Sequence, residues 1–198
     1  MAAVVVPFRA GKQRLELPDA EREVLALAML GDVVAACRAV GPTVVVTPDD
    51  EAAELARELG AQVEEDPGGG QGRAVAAALT RVQGGPVLVV NADLPCVVPR
   101  DLRALLGAVP PGGLALVEAD DGSTNALALS DPGLFAPLYG SASAARFRDH
   151  AAAVGAESMT AAVPNAVADV DTLADVRRVA VTAGPRTQAA IATLGLAA

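Results

Sequence analysis

The chain has 198 residues, a formal net charge of −9, 52% hydrophobic residues and 2% aromatic ones. That length and apolar content allow one domain with a sizeable core and exclude a disordered chain. The acidity excludes nucleic acid or an anionic membrane as a broad-surface partner, and the few aromatics leave no stacking platform for single strands.

No apolar run approaches the ~18 residues of a membrane span, and the short apolar start lacks the layout of a signal peptide. Cys37 and Cys96 have neither CxxC nor zinc-site spacing, which points to buried thiols in a reducing cytoplasm. His150 is the only histidine and no G-x-S-x-G elbow is present, so a serine-hydrolase triad has little to draw on.

In chain order, residues 3–6 read as a first strand. A loop follows that carries Arg9, Lys12 and Arg14; Lys12 is the only lysine in the chain. Cations in a loop just beyond a strand suit nucleotide phosphates, although a solvated charged loop has the same composition. Pro18 and Asp19 open a helix whose apolar residues recur from Val24 to Cys37, with Gly31 marking a kink or a break and Gly41-Pro42 a stop. Residues 43–47 are a second strand. Asp49 or Asp50 caps a helix to about residue 59, and 61–64 are a third strand. This βαβαβ order predicts right-handed crossovers and a parallel sheet.

The loop Asp66-Pro67-Gly68-Gly69-Gly70 leads into a helix expected over 73–82. Clustered glycines allow close backbone approach to a ligand, but the spacing is neither a dinucleotide fingerprint nor a P-loop. Next comes Val87-Leu88-Val89-Val90, a run with the apolar character of a strand buried on both faces. It ends in Asn91-Ala92-Asp93-Leu94-Pro95. In open α/β sheets ligands bind beyond the carboxyl ends of the strands, so Asp93 reads either as a metal or phosphate-facing carboxylate or as a turn residue.

A helix over 99–108 and two apolar strands over 114–118 and 125–129 follow, and an antiparallel strand enters the sheet here. Ser143 stands as the N-cap of a helix over 144–154, which makes its N-terminus a candidate anion site or an ordinary cap. His150 and Arg146 fall on the surface of that helix. Residues 158–163 are a further strand. Asp169, Asp171 and Thr172 precede the last long apolar pattern; the aspartates are helix caps or, with Asp93, carboxylates converging on magnesium. The tail, 184–198, is a small apolar helix that covers a sheet edge or joins a second copy in a homodimer.

Several stretches together resemble one family. They are Pro7 through Leu15, Glu21-Arg22-Glu23 with Met29-Leu30-Gly31-Asp32-Val33, Asp66 through Gly70, Asp93-Leu94-Pro95, Thr124-Asn125-Ala126-Leu127, Gly140 with Ser143, and Asp169-Val170-Asp171-Thr172. The sequence is similar to the 2-phospho-L-lactate or phosphoenolpyruvate guanylyltransferases of coenzyme F-420 biosynthesis.

The resemblance implies an α/β three-layer sandwich like the nucleotide-diphospho-sugar transferases, as a single domain over 1–198, with a mostly parallel sheet and one antiparallel strand. It implies GTP and a phosphorylated three-carbon acid as substrates and Mg²⁺ as cofactor. It places Pro7, Arg9, Lys12, Arg14, Asp66, Gly68, Gly69 and Gly70 on the nucleotide, and Thr124, Gly140 and Ser143 on the acceptor. It places Asp93, Asp169 and Asp171 on the metal, and makes Lys12, Arg14 and Asp93 the catalytic set. The chain departs from the family at Arg9 (often Lys), Gln13 (often Ser), Gln71-Gly72 (commonly Leu-Asn) and Asn91, where a second acid of a D-x-D pair is expected. Competing readings are a molybdenum-cofactor or sugar-phosphate nucleotidyltransferase, whose G-G-x-S-x-R-M-G style of loop is missing, and a non-catalytic nucleotide-binding protein.

Overall fold

The computed structural model describes residues 1–11 and 15–196. Strands β1 (Ala3–Pro7), β2 (Thr43–Thr47), β3 (Gln62–Glu65), β4 (Val87–Val90), β5 (Leu114–Glu118), β6 (Thr124–Leu129) and β7 (Ser158–Thr160) form one sheet. The order is β3-β2-β1-β4-β6-β5-β7. β6 runs against its neighbours β4 and β5, and the other pairings are parallel. This is the expected sheet, with its one antiparallel strand where the sequence put it.

Side-chain alternation along β1 and β4 builds the layers. Val4, Val6, Leu88 and Val90 point into one apolar cluster, under α1 (Asp19–Arg38), α2 (Asp50–Glu58) and α4 (Pro99–Gly107). Val5, Val87 and Val89 point into the other, under α3 (Gln71–Leu79) and α5 (Ser143–Ala153). All four residues of β4 are fully buried. Each such side chain stabilises the fold by about 2 kcal/mol relative to exposure, which is why a run without polar alternation lies at the centre of the sheet.

Four expectations change. Gly31 neither kinks nor breaks a helix, because α1 runs unbroken through it. Its bareness serves packing: a Cβ there would stand 2.6 Å from Cδ of Arg186 on α7 (Pro185–Thr193). The tail helix α7 lies on α1, in a third apolar cluster with α6 (Leu173–Val179), and not on a sheet edge. α3 begins at Gln71, immediately after Gly70 at φ 95°, so the glycine loop ends two residues sooner than the periodicity suggested. β7 stops at Thr160, since Pro164 opens a 3₁₀ turn shortly beyond.

The tail is held by a buried charge. Asp32 on α1 is 7% exposed and accepts from the backbone N–H groups of Arg186 (3.1 Å) and Thr187 (2.8 Å). A side chain from another helix thus performs the work of an N-cap at the positive end of α7. Gly184 leaves room for it: a Cβ would meet the Asp32 carboxyl carbon at 2.3 Å.

Asp32→Ala should therefore strand two N–H groups and cost about 2 kcal/mol, lowering Tm by about 4–8 °C in a scanning melt. An unchanged Tm would show that α7 docks by apolar contact alone.

Candidate active site

The carboxyl ends of β1, β4 and β3 open on a cleft. One part, about 110 Å³, is walled by Pro7, Phe8, Arg9, Gln71 and Asn91 through Asp93. A neighbouring part shares Pro7 through Arg9 and Gln71 and adds Asp66 and Gly70. A third joins Gly69 through Arg73 to Pro137, Tyr139 and Gly140.

Asp93 lines the first part, and Asp169 and Asp171 come up to it, each of the three offering an oxygen within 4.8 Å of the others. Backbone bonds bring the two segments together. Val170 N donates to Asp93 O (3.1 Å), and Asn125 on β6 donates to the carbonyls of Ala166 (3.1 Å) and Val167 (2.8 Å) just upstream. Downstream, Thr172 caps α6 in a reciprocal box with Asp175. The sequence left the cap between Asp171 and Thr172; Thr172 takes it. Two like charges about 4 Å apart repel by about 4 kcal/mol at an effective dielectric of about 20, so three carboxylates here favour a cation among them. A hard, all-oxygen donor set fits a divalent ion such as Mg²⁺.

The glycine loop is shaped by Asp66. Its Oδ1 accepts from Gly68 N (2.7 Å) and its Oδ2 holds the Arg9 guanidinium (2.8 Å), joining the loops after β1 and β3. Both oxygens of Asp66 are thus engaged by protein. Gly68, Gly69 and Gly70 all have φ between 76° and 95°, a region that only glycine enters without strain. Lys12, Gln13 and Arg14, to which the sequence assigned phosphate contacts and a family departure, lie outside the described residues.

Ser143 corrects the sequence reading. It is the first residue of α5, not its cap; Ala142, at φ 53°, occupies the cap position. The Ser143 hydroxyl turns inward and donates to Thr124 Oγ1 (3.0 Å), both side chains buried. Gly140, at φ 117°, accepts from Ser143 N (3.1 Å) and borders the cavity shared with the glycine loop. The structure thus brings Thr124, Gly140 and Ser143 together, with Gly140 on the part of the cleft that Gly69 through Arg73 also wall.

Residues that the sequence passed over connect these parts. Gln71 Nε2 donates to Asn91 Oδ1 (2.6 Å), and Asn91 Nδ2 donates to Thr124 O (3.2 Å). Their only signal was negative, as departures from a motif.

A cleft at the strand ends of a mostly parallel sheet, with a glycine loop on its wall and Asp93 of a three-acid cluster lining it, is the architecture of a nucleotidyltransferase. A family model described as the MobA-like NTP transferase domain matches residues 9–166. The phosphoenolpyruvate guanylyltransferase of Nocardia farcinica is 37% identical over 199 residues, covering 93% of this chain and 86% of that protein. That of Streptomyces coelicolor is 39% identical, covering 98% and 97%. The chain belongs to the phosphoenolpyruvate guanylyltransferase family, within the MobA-like NTP transferases. Solved structures agree on the fold alone. A nucleotidyl transferase from Methanothermobacter thermautotroptrophicus superposes with a TM-score of 0.67 at 15% identity, covering 98% of this chain and 99% of that one. A CMP:2-keto-3-deoxy-manno-octonic acid synthetase complexed with CTP gives 0.59 at 15% identity, covering 90% and 97%.

Asp175 anchors the Asp169–Asp171 segment from below. Burial pushes its carboxyl up, but the Thr172 hydroxyl, the N–H groups of Thr172 and Asp171 and the Arg178 guanidinium outweigh that and hold it below the usual carboxylate range. A depressed folded-state pKa contributes stability above the unfolded value, near ~3.9, and that stability is lost as pH falls through the folded value. Asp175→Ala should thus lower the denaturation midpoint at pH 7 and converge with the wild type in strong acid. A gap that persists at low pH would contradict the charged capping box.

Proposed function

We propose that this protein transfers GMP from GTP to phosphoenolpyruvate, releasing pyrophosphate, as a single nucleotidyltransferase domain spanning 1–198 that acts in coenzyme F-420 biosynthesis in the cytoplasm. The observation that carries the reading is the convergence of Asp93, Asp169 and Asp171 beside a cleft that the glycine loop also borders. The names of the relatives favour a guanylyl donor and phosphoenolpyruvate over 2-phospho-L-lactate or a sugar phosphate. Among the described residues no helix is long and apolar enough to cross a membrane, which accords with two water-soluble substrates.

An oxygen of the acceptor's phosphate forms a bond to the α-phosphorus of GTP while the bond to pyrophosphate breaks. That oxygen is already anionic, so the chain needs no general base, in keeping with its single histidine. The difficulty is bringing two polyanions together. Asp93, Asp169 and Asp171 would hold Mg²⁺, which when bound would supply charge neutralisation at the reacting phosphates. The glycine loop turns backbone N–H groups to the nucleotide, and Asp66 fixes that loop and Arg9 beside it. Lys12 and Arg14 carry positive charge to the triphosphate. Thr124, Ser143 and Gly140 receive the acceptor's carboxylate, the buried hydroxyl pair fixing the register of the loop before α5. The protein's contribution is positioning and electrostatic stabilisation.

Asp93→Asn should reduce kcat/KM for pyrophosphate release from GTP plus phosphoenolpyruvate by at least ~100-fold while Tm stays within about 3 °C of wild type. Near-native turnover of this variant in saturating Mg²⁺ would remove Asp93 from the chemistry. Wild-type protein that releases no pyrophosphate with this pair, but does so with another acceptor, would reassign the acceptor.

A further inference from the structure

Gln71 stands where the three parts of the cleft meet, half-buried at the first position of α3. Its backbone is pinned from behind. Gly72 packs against the Pro137 backbone so closely that a Cβ would lie 2.9 Å from it. The Gln71 side chain reaches across to the end of β4.

The orientation of its amide follows from a chain of hydrogen bonds. The Thr124 carbonyl can only accept, so Asn91 must turn Nδ2 toward it, at 3.2 Å. Asn91 Oδ1 is then an acceptor, and Gln71 must meet it with Nε2, at 2.6 Å. This leaves Gln71 Oε1 as an acceptor with no partner among the described residues, on a side chain that walls the cleft beside the glycine loop. A leucine at this position offers the cleft only apolar surface.

We infer that Gln71 reads the nucleoside, its Oε1 accepting a hydrogen bond from the exocyclic amine of guanine or from the 2′-hydroxyl of the sugar of the bound triphosphate. The inference rests on the nucleotidyl-transfer reading of the cleft. The two donors share one chemistry, a polar hydrogen offered to an amide oxygen: guanine presents it on its exocyclic amine and ribose on its 2′-hydroxyl. Asn91 is a positioning residue in this account. It holds the Gln71 amide in the one orientation that keeps the acceptor toward the ligand, and it ties that orientation to Thr124.

The test is equilibrium binding, which does not depend on turnover or on the acceptor. The Mg²⁺ complexes of GTP, ITP and 2′-deoxyGTP are titrated calorimetrically into wild type, Gln71→Met and Gln71→Asn. ITP lacks the exocyclic amine and 2′-deoxyGTP lacks a sugar hydroxyl. Wild type should favour GTP over one analogue by about 3- to 10-fold, the effect of one neutral hydrogen bond. In both variants that preference should fall to about 1-fold, while binding of the disfavoured analogue stays close to wild type. Loss of the GTP/ITP preference assigns the contact to the base, and loss of the GTP/2′-deoxyGTP preference assigns it to the sugar. A wild type that binds all three alike, or a folded variant of either kind that keeps the wild-type preference, overturns the inference. Failure of GTP and phosphoenolpyruvate to release pyrophosphate would instead strike the proposed reaction and leave this binding result standing.

Discussion

Three carboxylates held within 4.8 Å of one another are the constraint to which the surrounding fold responds. Like charges so close together separate unless the backbone carrying them is fixed or a cation joins them. Asp93 stands three residues beyond Val90, the end of a strand buried on both faces, so its position follows from the centre of the sheet. Asp169 and Asp171 lie on a segment without regular structure, which must be tied down from several sides. Val170 bonds the Asp93 carbonyl, Asn125 grips the two carbonyls upstream, and the Thr172–Asp175 box closes the downstream end. Much of what looks like loop bonding in the last third of the chain serves this one juxtaposition.

The family model ends at residue 166, yet two of the three acids and the helix α7 lie beyond it. The turn after Asp93 is bound from that side as well. Gly184 N donates to Pro95 O at 2.7 Å, beside the buried Asp32 that caps α7. The two carbonyls that frame Asp93-Leu94-Pro95 are therefore both taken by the C-terminal segment. The tail belongs to the scaffold of the site and is not an appendage to it.

Much of this was legible in the sequence because it was written in period and punctuation. The strand 43–47 and the helix opening at Asp19 matched residue for residue, since β-branched runs and an acidic first turn are local signals. The acid cluster was legible only through the ordered set of short motifs, because Asp169-Val170-Asp171 before a helix is indistinguishable from capping by itself. What failed were meanings that depend on a distant partner. Gly31 reads locally as a breaker, but its lack of a side chain admits Arg186 from the tail. Ser143 reads as a cap, but its hydroxyl has a better partner in Thr124, on a strand formed earlier in the chain. The Gln71–Asn91–Thr124 relay leaves no pattern at all in a linear reading, because each member is a polar residue in a loop or at an element end until the sheet brings them together.

The central claim is that Asp93, Asp169 and Asp171 jointly bind a divalent cation where the nucleotide's phosphates arrive. Anomalous diffraction from crystals grown with Mn²⁺ and a non-hydrolysable GTP analogue tests it most directly. The account predicts a manganese peak about 2 Å from oxygens of these aspartates, with the α-phosphate completing its coordination. A nucleotide bound in the cleft with no manganese among the three carboxylates, or with manganese held elsewhere, would contradict it.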